Sequence, residues 1–287
     1  MAEVNFPPPG ATDCHVHVIG PKRRYPLPAD ARYTPMDAPV GQLAAMLKRL
    51  ALERVVIVQP SFYGTDNTCL LDAMAELGNA RGVAVLPDDV PARELDALND
   101  HGVRGLRVNI ATYGTAALEA MQRAIETAAR QAAEHGWHVQ IFVPAAALAP
   151  LSPVLRDLPV DIVIDHFGLV DPDAPDDGLP TLLTLLDTGK VWVKISGAYR
   201  ITQDPQHAGI DPMARALVAA NPERIVWGSD WPHTPHHGLY NSDRGQESPF
   251  QDIDTSDLLA LLRRWLQDDA LTHRVLVGNP ARLYGFE

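Results

Sequence analysis

Cysteine and net positive charge are scarce in this sequence. Only two of the 287 residues are cysteines, at positions 14 and 69, and this isolated pair favours a reducing compartment. The 36 acidic residues outnumber the 24 basic ones and give a net charge of −12. This balance argues against nucleic acid or an anionic membrane as the main partner. An anionic small-molecule substrate stays compatible with it, because a single site can be locally basic.

Long apolar runs are also missing. No stretch reaches the roughly 18 uncharged apolar residues that a membrane-spanning helix needs. Residues 1–12 lack a basic region followed by an apolar segment, so no secretory signal is predicted. These absences, taken with the cysteine usage, predict a cytoplasmic protein.

Eight short apolar runs bounded by turn residues predict eight β-strands. They occupy residues 11–18, 54–59, 82–86, 105–110, 137–143, 161–167, 191–196 and 224–230. Segments with helical periodicity alternate with them, at residues 39–50, 67–80, 91–102, 115–136, 145–158, 179–189, 211–222 and 256–268. This alternation predicts an α/β fold, a single (β/α)₈ TIM barrel over residues 1–287. An open doubly wound sheet is the alternative, although the first strand lacks the Gly-rich phosphate loop typical of it.

The segment TDCHVHVIG, residues 12–20, places Asp13, His15 and His17 at alternate positions of the first predicted strand. Alternate side chains of a strand share one face, so the three are expected together, with Cys14 facing away. Such a polar cluster facing an apolar interior costs free energy unless it binds or pairs with something. The segment therefore predicts one wall of an active site.

Polar residues at the carboxyl ends of the other predicted strands extend this site. The ends of barrel strands converge on one face, which the long loops 19–40 and 231–254 are expected to cover. Two of the polar residues, Arg107 and Arg200, predict an anionic partner, because planar guanidinium groups suit carboxylates. The candidates are Gln59, Ser61, Arg107, Asn109, Asp165, His166, Lys194, Ser196, Arg200, Ser229, Asp230 and His233.

Three motifs in order, HVH at 15–17, VIDHFG at 163–168 and WGSDWPH at 227–233, resemble those of the amidohydrolase superfamily. Within it the chain resembles the branch around 2-pyrone-4,6-dicarboxylate lactonase, which includes sugar-acid lactone isomerases. Further segments, among them ARYTPMDA, VVIVQPSFYGTDN and GNPARLYGF, carry the similarity over nearly the whole chain. The resemblance implies a hydrolase that opens a carboxylated lactone in the catabolism of aromatic or sugar acids.

The resemblance also implies roles for individual residues. Asp230 matches the aspartate that activates water. His15, His17 and His166 match the histidines around the substrate carbonyl, and Arg107 and Arg200 match arginines that hold substrate carboxylates. Further substrate contacts are expected from Tyr33, Ser61, Tyr63, Asn109 and His233.

Two departures from that branch weigh against the dicarboxylate pyrone as the substrate. Phe142 stands where the branch has a tyrosine on the fifth strand. The segment PSFYG lacks the histidine expected near the second strand, and Tyr63 is the residue that could stand in for it. The ring-opening chemistry does not depend on either position.

Superfamily members with two metal ions use a lysine on the fourth strand and a histidine on the fifth. The corresponding strands here end in RVNI and QIFV, so a two-metal site is not expected. A metal-free site is the first expectation. The alternative is one Zn²⁺ or Mn²⁺ held by His15, His17 and Asp230, with His166 as a fourth candidate ligand.

Other activities stay open at this stage. A lactone isomerase would use an internal hydroxyl in place of water. A mononuclear metal-dependent hydrolase or decarboxylase, and a catalytically silent binding protein, are further alternatives. The expected partner is an anionic small molecule, and the expected state is a monomer or small homo-oligomer.

Overall fold

A computed structural model describes residues 6–113, 117–236, 240–241 and 243–287. Residues 115–116 of the predicted fourth helix, part of loop 231–254 and the first five residues lie outside these ranges. Eight parallel strands form one sheet in chain order, which confirms the predicted (β/α)₈ barrel. The strands are β1 Thr12–Val16, β2 Arg54–Val58, β3 Ala80–Ala84, β4 Val103–Asn109, β5 His138–Phe142, β6 Ile162–Ile164, β7 Val191–Ser196 and β8 Ile225–Gly228.

Helices on the outside of the sheet follow the predicted order. They are α1 Val40–Arg49, α2 Thr68–Leu77, α3 Ala92–Asp100, α4 Leu118–Ala133, α5 Ala145–Asp157, α6 Leu179–Asp187, α7 Ile210–Ala220, α8 Thr255–Leu266, α9 Asp269–His273 and α10 Asn279–Tyr284. Nearly every strand residue is buried, because helices cover the outer face and side chains fill the barrel. None of the helices in the described ranges has the length and apolar character needed to cross a membrane.

The chain end after α8 closes the amino-terminal end of the barrel, a feature that the sequence analysis did not predict. Tyr284 and Phe286 pack against the valines that fill the barrel interior. The side chain of Arg81 donates to the carbonyl oxygens of Tyr284, at 3.2 Å, and Gly285, at 2.8 Å. Within the described residues the chain end therefore covers the amino-terminal end of the barrel, which favours the carboxyl ends of the strands as the place for a site.

Backbone hydrogen bonds join β1 and β8, the first and last strands. Asp230 N donates to His15 O at 2.8 Å, and His17 N donates to Trp231 O at 2.8 Å. A Cβ atom on Gly228 would lie 2.5 Å from the Cβ atom of His15, so only glycine allows this approach. The seam thereby brings the two motifs that carry the strongest sequence signal into direct contact.

The alternation predicted for the first strand is interrupted at this seam. The pairing of β1 with β2 shifts register between Asp13 and Val16. Cys14 was predicted to face away from Asp13 and His15. Its side chain instead packs with the valines that fill the barrel. The Asp13 carboxylate accepts hydrogen bonds from the backbone of Ser229, at 2.9 Å, and His15, at 3.2 Å. Asp13 was predicted to lie with His15 and His17, and Cys14 on the other face. Both predictions were wrong, because an irregular register breaks the period of two on which they rested.

Two long loops lie together over the carboxyl ends of the strands, as predicted. Residues Thr34–Pro35 of the first loop pair in parallel with Glu247–Ser248 of the last. Tyr33 and Tyr240 stack with their ring centres 5.0 Å apart. The loops therefore brace each other over the one open end of the barrel.

Candidate active site

A cleft of about 390 Å³, including its open mouth, lies at the carboxyl ends of the strands. Eight of the predicted site residues line it: His17, Tyr33, Ser61, Arg107, Asn109, His166, Arg200 and Asp230. Residues without a predicted role also line it: Pro60, Phe62, Thr112, Phe142 and Thr234. The structure therefore brings together side chains from most of the strands and from both long loops.

Asp230 is wholly buried at the floor of this cleft. Its Oδ2 accepts hydrogen bonds from Arg200 Nε at 2.6 Å and from the Tyr199 hydroxyl at 2.8 Å. Its Oδ1 accepts none from any residue that the structure describes. Burial alone would raise the pKa of Asp230, but the Arg200 guanidinium and the nearby histidines hold it well below its usual value. One oxygen is therefore fixed and the other is an ionised acceptor that faces the cleft.

Three imidazole rings surround this carboxylate. His17 Nε2 lies 3.4 Å and His15 Nε2 lies 3.8 Å from Asp230 Oδ1. His166 Nε2 lies 4.0 Å from Oδ2, and its ring centre is 4.6 Å from that of His15. Burial lowers the pKa of His166 to about 4 and holds that of His15 well below its ordinary value, so both rings are neutral at pH 7.

Strained backbone places two of these groups. Asp230 and His166 have φ angles of 62° and 48°, in the left-handed region that residues with a Cβ atom rarely adopt. Each residue lies two positions beyond the end of its strand, Asp230 after β8 and His166 after β6. Such conformations cost of order 1–3 kcal/mol and cluster at functional sites. The sharp turns after β8 and β6 therefore mark these residues independently of their charge.

The two predicted anchors for an anion differ in what they already bind. Arg200 Nη2 donates to Thr234 Oγ1 at 2.7 Å and Nη1 donates to Pro235 O at 3.1 Å, in addition to the bond with Asp230. All three nitrogens of this guanidinium thus have protein partners. The prediction that Arg200 holds a substrate carboxylate did not foresee that its carboxylate partner is Asp230.

Arg107 spans the floor and the wall of the cleft. Its Nη1 donates to Gln59 O at 3.2 Å, and its Nη2 lies 3.6 Å from Asp165 Oδ2. Its guanidinium carbon lies 5.7 Å from the centre of the Phe142 ring. The phenyl ring thus stands beside the cation, at the position where the resemblance predicted a tyrosine.

Two predicted substrate contacts lie elsewhere. Tyr63 is buried behind the second strand end, where its hydroxyl accepts a hydrogen bond from Gly20 N at 3.2 Å. His233 is buried against Tyr199, and its Nε2 lies 3.0 Å from Thr255 Oγ1. Neither residue lines the cleft. The structure thus places both outside the cleft, and irregular loops carry no periodicity from which a side-chain direction could have been read.

A second layer of buried charge lies beneath the cleft. Lys194 is fully buried and donates from Nζ to Gln140 Oε1 at 2.7 Å and to Cys14 O at 2.9 Å. Gln140 Nε2 in turn donates to Asp165 Oδ2 at 2.9 Å. Burial lowers the pKa of Lys194 to about 8, which leaves the ammonium form dominant at pH 7. The sequence placed Asp165 and Lys194 at strand ends without a role and missed Gln140 and Tyr199.

His15, His166 and Asp230 are close enough to share a metal ion, since one atom from each lies within 4.8 Å of the others. His17, expected as a ligand, is not in this group. Arg200 already donates to one oxygen of Asp230, and Lys194 lies 3.4 Å from His15 Nδ1. Two cations at the donor residues make the set poorly suited to a divalent ion.

The buried histidines predict a loss of stability in mild acid. Burial lowers the pKa values of His138, His166 and His233 to about 3, 4 and 4, from an ordinary value of 6.5. As the pH falls from about 6.5 to 4, the unfolded chain binds protons that the folded chain does not, so the free energy of unfolding decreases. Asp13 has the opposite effect on the free energy of unfolding, because its pKa is raised to about 6, but it is one group against three histidines. Urea unfolding should give a lower midpoint at about pH 5 than at about pH 7; an equal or higher midpoint would contradict the shifts.

The similarity to known proteins covers the whole barrel. The amidohydrolase family model matches residues 12–286. The 4-sulfomuconolactone hydrolase of Rhizobium radiobacter is 36% identical over 97% of this chain and 91% of its own length. The 2-pyrone-4,6-dicarboxylate hydrolase of Comamonas testosteroni is 33% identical over 96% of this chain and 90% of its own length.

A solved structure agrees with these sequence relatives. A Pseudomonas putida protein, provisionally described as a 2-pyrone-4,6-dicarboxylic acid hydrolase, superposes with a TM-score of 0.82 at 34% identity. The match covers 97% of this chain and 98% of the other. The family match over the whole barrel and the carboxylate among three histidines at its carboxyl end lead to one conclusion: the chain belongs to the amidohydrolase family.

Proposed function

We propose that the protein hydrolyses an anionic lactone with a water molecule activated by Asp230. One observation carries the proposal: Asp230 Oδ1 is a buried, ionised acceptor with no hydrogen bond from a described residue, and imidazole nitrogens lie 3.4 and 3.8 Å away. Such an atom is costly unless its ligand supplies a proton donor. The lactone-hydrolysing relatives support the choice of reaction.

His17 supports the attacking water. Its Nδ1 lies 2.7 Å from the carbonyl oxygen of Val58, and a carbonyl can only accept, so Nδ1 carries a proton, and in this scheme Nε2 carries none. The Nε2 atom is then an acceptor beside Asp230 Oδ1. A water molecule that donates one hydrogen to each of these atoms directs its lone pair towards the substrate carbonyl.

In this scheme Asp230 takes a proton from the water molecule and later gives it to the ring oxygen of the lactone. The water oxygen bonds to the carbonyl carbon while Asp230 Oδ1 takes one water proton, which gives a tetrahedral oxyanion. The bond between this carbon and the ring oxygen then breaks, and Asp230 returns the proton to the departing oxygen. Because its pKa is depressed, Asp230 is a weak base in the first step, but the lactone that the water attacks is already an activated ester. The same low pKa makes the protonated carboxyl group a strong acid in the second step.

Arg107 is proposed to hold the anionic group of the substrate. Replacing it with methionine, Arg107→Met, should raise KM for an anionic lactone about 10–100-fold, because a charge-assisted bond of roughly 1.5–3 kcal/mol is lost. The kcat value should change less. Steady-state kinetics should show no such KM change for a neutral ester of the same lactone, nor for the surface control Arg130→Met. An equal rise in KM for the charged and neutral substrates would contradict the role.

We propose that the reaction needs no metal ion, because Arg200 and Lys194 already supply positive charge at the donor residues. Elemental analysis of the purified protein and activity after chelation test this directly. About one Zn²⁺ or Mn²⁺ per chain, with activity lost on chelation and restored by the metal, would support the mononuclear alternative.

The experiment that tests the function is a panel of carboxylated five- and six-membered lactones, offered to the metal-analysed protein in ¹⁸O-labelled water. Hydrolysis places one ¹⁸O atom in the new carboxylate, whereas isomerisation by an internal hydroxyl yields an unlabelled lactone of changed ring. Labelled product supports the proposal. Unlabelled isomer would replace it with the isomerase alternative, and no turnover of any lactone would overturn it.

The setting of the reaction is part of the proposal. We infer a cytoplasmic enzyme, monomeric or a small homo-oligomer, whose partner is an anionic metabolite rather than nucleic acid or a membrane. The net charge of −12 and the locally cationic cleft around Arg107 support this view. Gel filtration with light scattering would fix the oligomeric state.

A further inference from the structure

Lys194 is a fully buried charge to which the proposed reaction assigns no step of its own. It projects from β7 into the barrel beneath the cleft, where its Nζ lies 3.4 Å from His15 Nδ1 and 3.7 Å from Asp165 Oδ1. A buried ammonium group is costly, so its place directly under a site histidine calls for a physical reason.

The hydrogen bonds of Lys194 indicate whether His15 Nδ1 carries a proton. The ammonium has three hydrogens and no acceptor, and two hydrogens go to Cys14 O and Gln140 Oε1. The nearest acceptor for the third is His15 Nδ1 at 3.4 Å, closer than Asp165 Oδ1 at 3.7 Å. A nitrogen that accepts this hydrogen carries no proton of its own, so the neutral His15 ring carries its proton on Nε2.

Asp165 is the competing partner for the same nitrogen. Its Oδ1 lies 3.3 Å from His15 Nδ1, and a bond to it would place the proton on Nδ1. The Asp165 carboxylate raises the pKa of His15 against the effect of burial, but its Oδ1 is poorly aligned with Nδ1 and makes no hydrogen bond with a described residue. The other oxygen, Oδ2, is held by Gln140 Nε2 at 2.9 Å and lies 3.6 Å from Arg107 Nη2. The carboxylate is thus oriented by Gln140 and serves mainly to balance the two cations.

We propose that Lys194 is a positioning residue that holds His15 with its proton on Nε2, so that His15 donates a hydrogen bond to the substrate carbonyl as it becomes an oxyanion. His15 lies behind the residues that line the cleft; its Nε2 is buried, makes no hydrogen bond with a described residue and lies 3.8 Å from Asp230 Oδ1 at the cleft floor. The inference rests on the proposed function, since it is the tetrahedral oxyanion that needs the donor.

The two histidines of the HVH motif therefore have opposite proton positions. His17 donates from Nδ1 to Val58 O and presents an acceptor to the water, whereas His15 accepts at Nδ1 and presents a donor to the carbonyl oxygen. A ring with a protonated Nε2 cannot bind a metal ion through that atom. The pattern separates activation of the nucleophile from activation of the electrophile on one short strand.

Long-range ¹H–¹⁵N NMR spectra of the whole protein with ¹⁵N-labelled histidine test this inference at pH 7. The nitrogen shifts report which atom of a neutral ring carries the proton, and loss of signals in His15→Gln assigns the residue. We expect Nε2 to be protonated in His15 and Nδ1 to be protonated in His17. A His15 ring protonated on Nδ1 in the unmodified protein would overturn the proposal, whatever the behaviour of any variant.

The substitution Lys194→Met tests the consequence for catalysis. It leaves Asp165 as the partner of Nδ1, so the proton should move to Nδ1 and kcat should fall about 10²-fold, the effect of losing one oxyanion donor. KM should stay within about threefold. Lys190→Met is the matched control, because Lys190 donates to the backbone carbonyl oxygens of Arg156 and Leu158, near the opposite end of the barrel. An unchanged kcat in a folded Lys194→Met protein would contradict the role.

The two proposals fail in distinguishable ways. If no lactone is turned over, the proposed function fails, and with it the oxyanion role assigned to His15, even where the spectra show Nε2 protonated. If a lactone is hydrolysed by a protein whose His15 is protonated on Nδ1, only the role of Lys194 fails.

Discussion

Replacing Asp230 with asparagine, Asp230→Asn, is expected to lower kcat for the lactone by about 10²–10⁴-fold, the contribution of a well-placed general base. The amide keeps the size of the carboxylate but can neither accept the water proton nor return it to the ring oxygen. KM for an anionic lactone should not rise, because Arg107 is unchanged and Arg200 loses the charge that it now balances. Steady-state kinetics on the purified variant gives both values.

The same change on the surface provides the control. Asp96 lies on α3, with 68% of its side chain exposed, and Asp96→Asn should leave kcat and KM unchanged. Circular dichroism must show that Asp230→Asn is folded before its rate is interpreted. A folded Asp230→Asn protein with a kcat within about threefold of the original would remove Asp230 from the chemistry and leave the proposed reaction without a base.

The fold could be predicted because burial on both sides leaves a direct trace in the sequence. Strands that are covered by helices and packed from within are mostly apolar runs, as in β2 and β7, and the predicted bounds of these two were correct to within one residue. The run predicted at 161–167 shortens to Ile162–Ile164, because the chain turns into left-handed backbone directly after Asp165. The seal by α10 was missed, since its few apolar residues form no run long enough to read.

The site residues could be predicted only where strand geometry determines the direction of a side chain. His17, His166 and Asp230 end or follow barrel strands, and such ends must converge. The register shift in β1 is invisible to an argument from alternation, so Asp13 and Cys14 were misplaced. The bond between Arg200 and Asp230 was not foreseen, because each residue had been given a separate substrate-binding or catalytic role and nothing in the spacing shows that they meet.

Arg200 leads to a second large expected effect, on stability as well as rate. The substitution Arg200→Met leaves Asp230 as a fully buried carboxylate without its cation, and removing one partner of a buried ion pair typically costs about 3–5 kcal/mol. The free energy of unfolding from urea titration should fall by this amount at pH 7. The pKa of Asp230 should rise once its cation is removed, so the penalty should shrink in mild acid, where the carboxyl group can take up a proton.

The double variant Arg200→Met with Asp230→Asn separates the charge from the contacts around it. If the unpaired charge is the cause, removing it restores most of the lost stability, and the double variant is more stable than Arg200→Met alone. Arg200 also bonds Thr234 and Pro235, so the part that is not restored measures how far it holds the last loop. Losses that simply add in the double variant would contradict the pairing. The ionised state of the carboxylate would then not depend on Arg200, and the substrate-binding role that the sequence first suggested for Arg200 would be the better account.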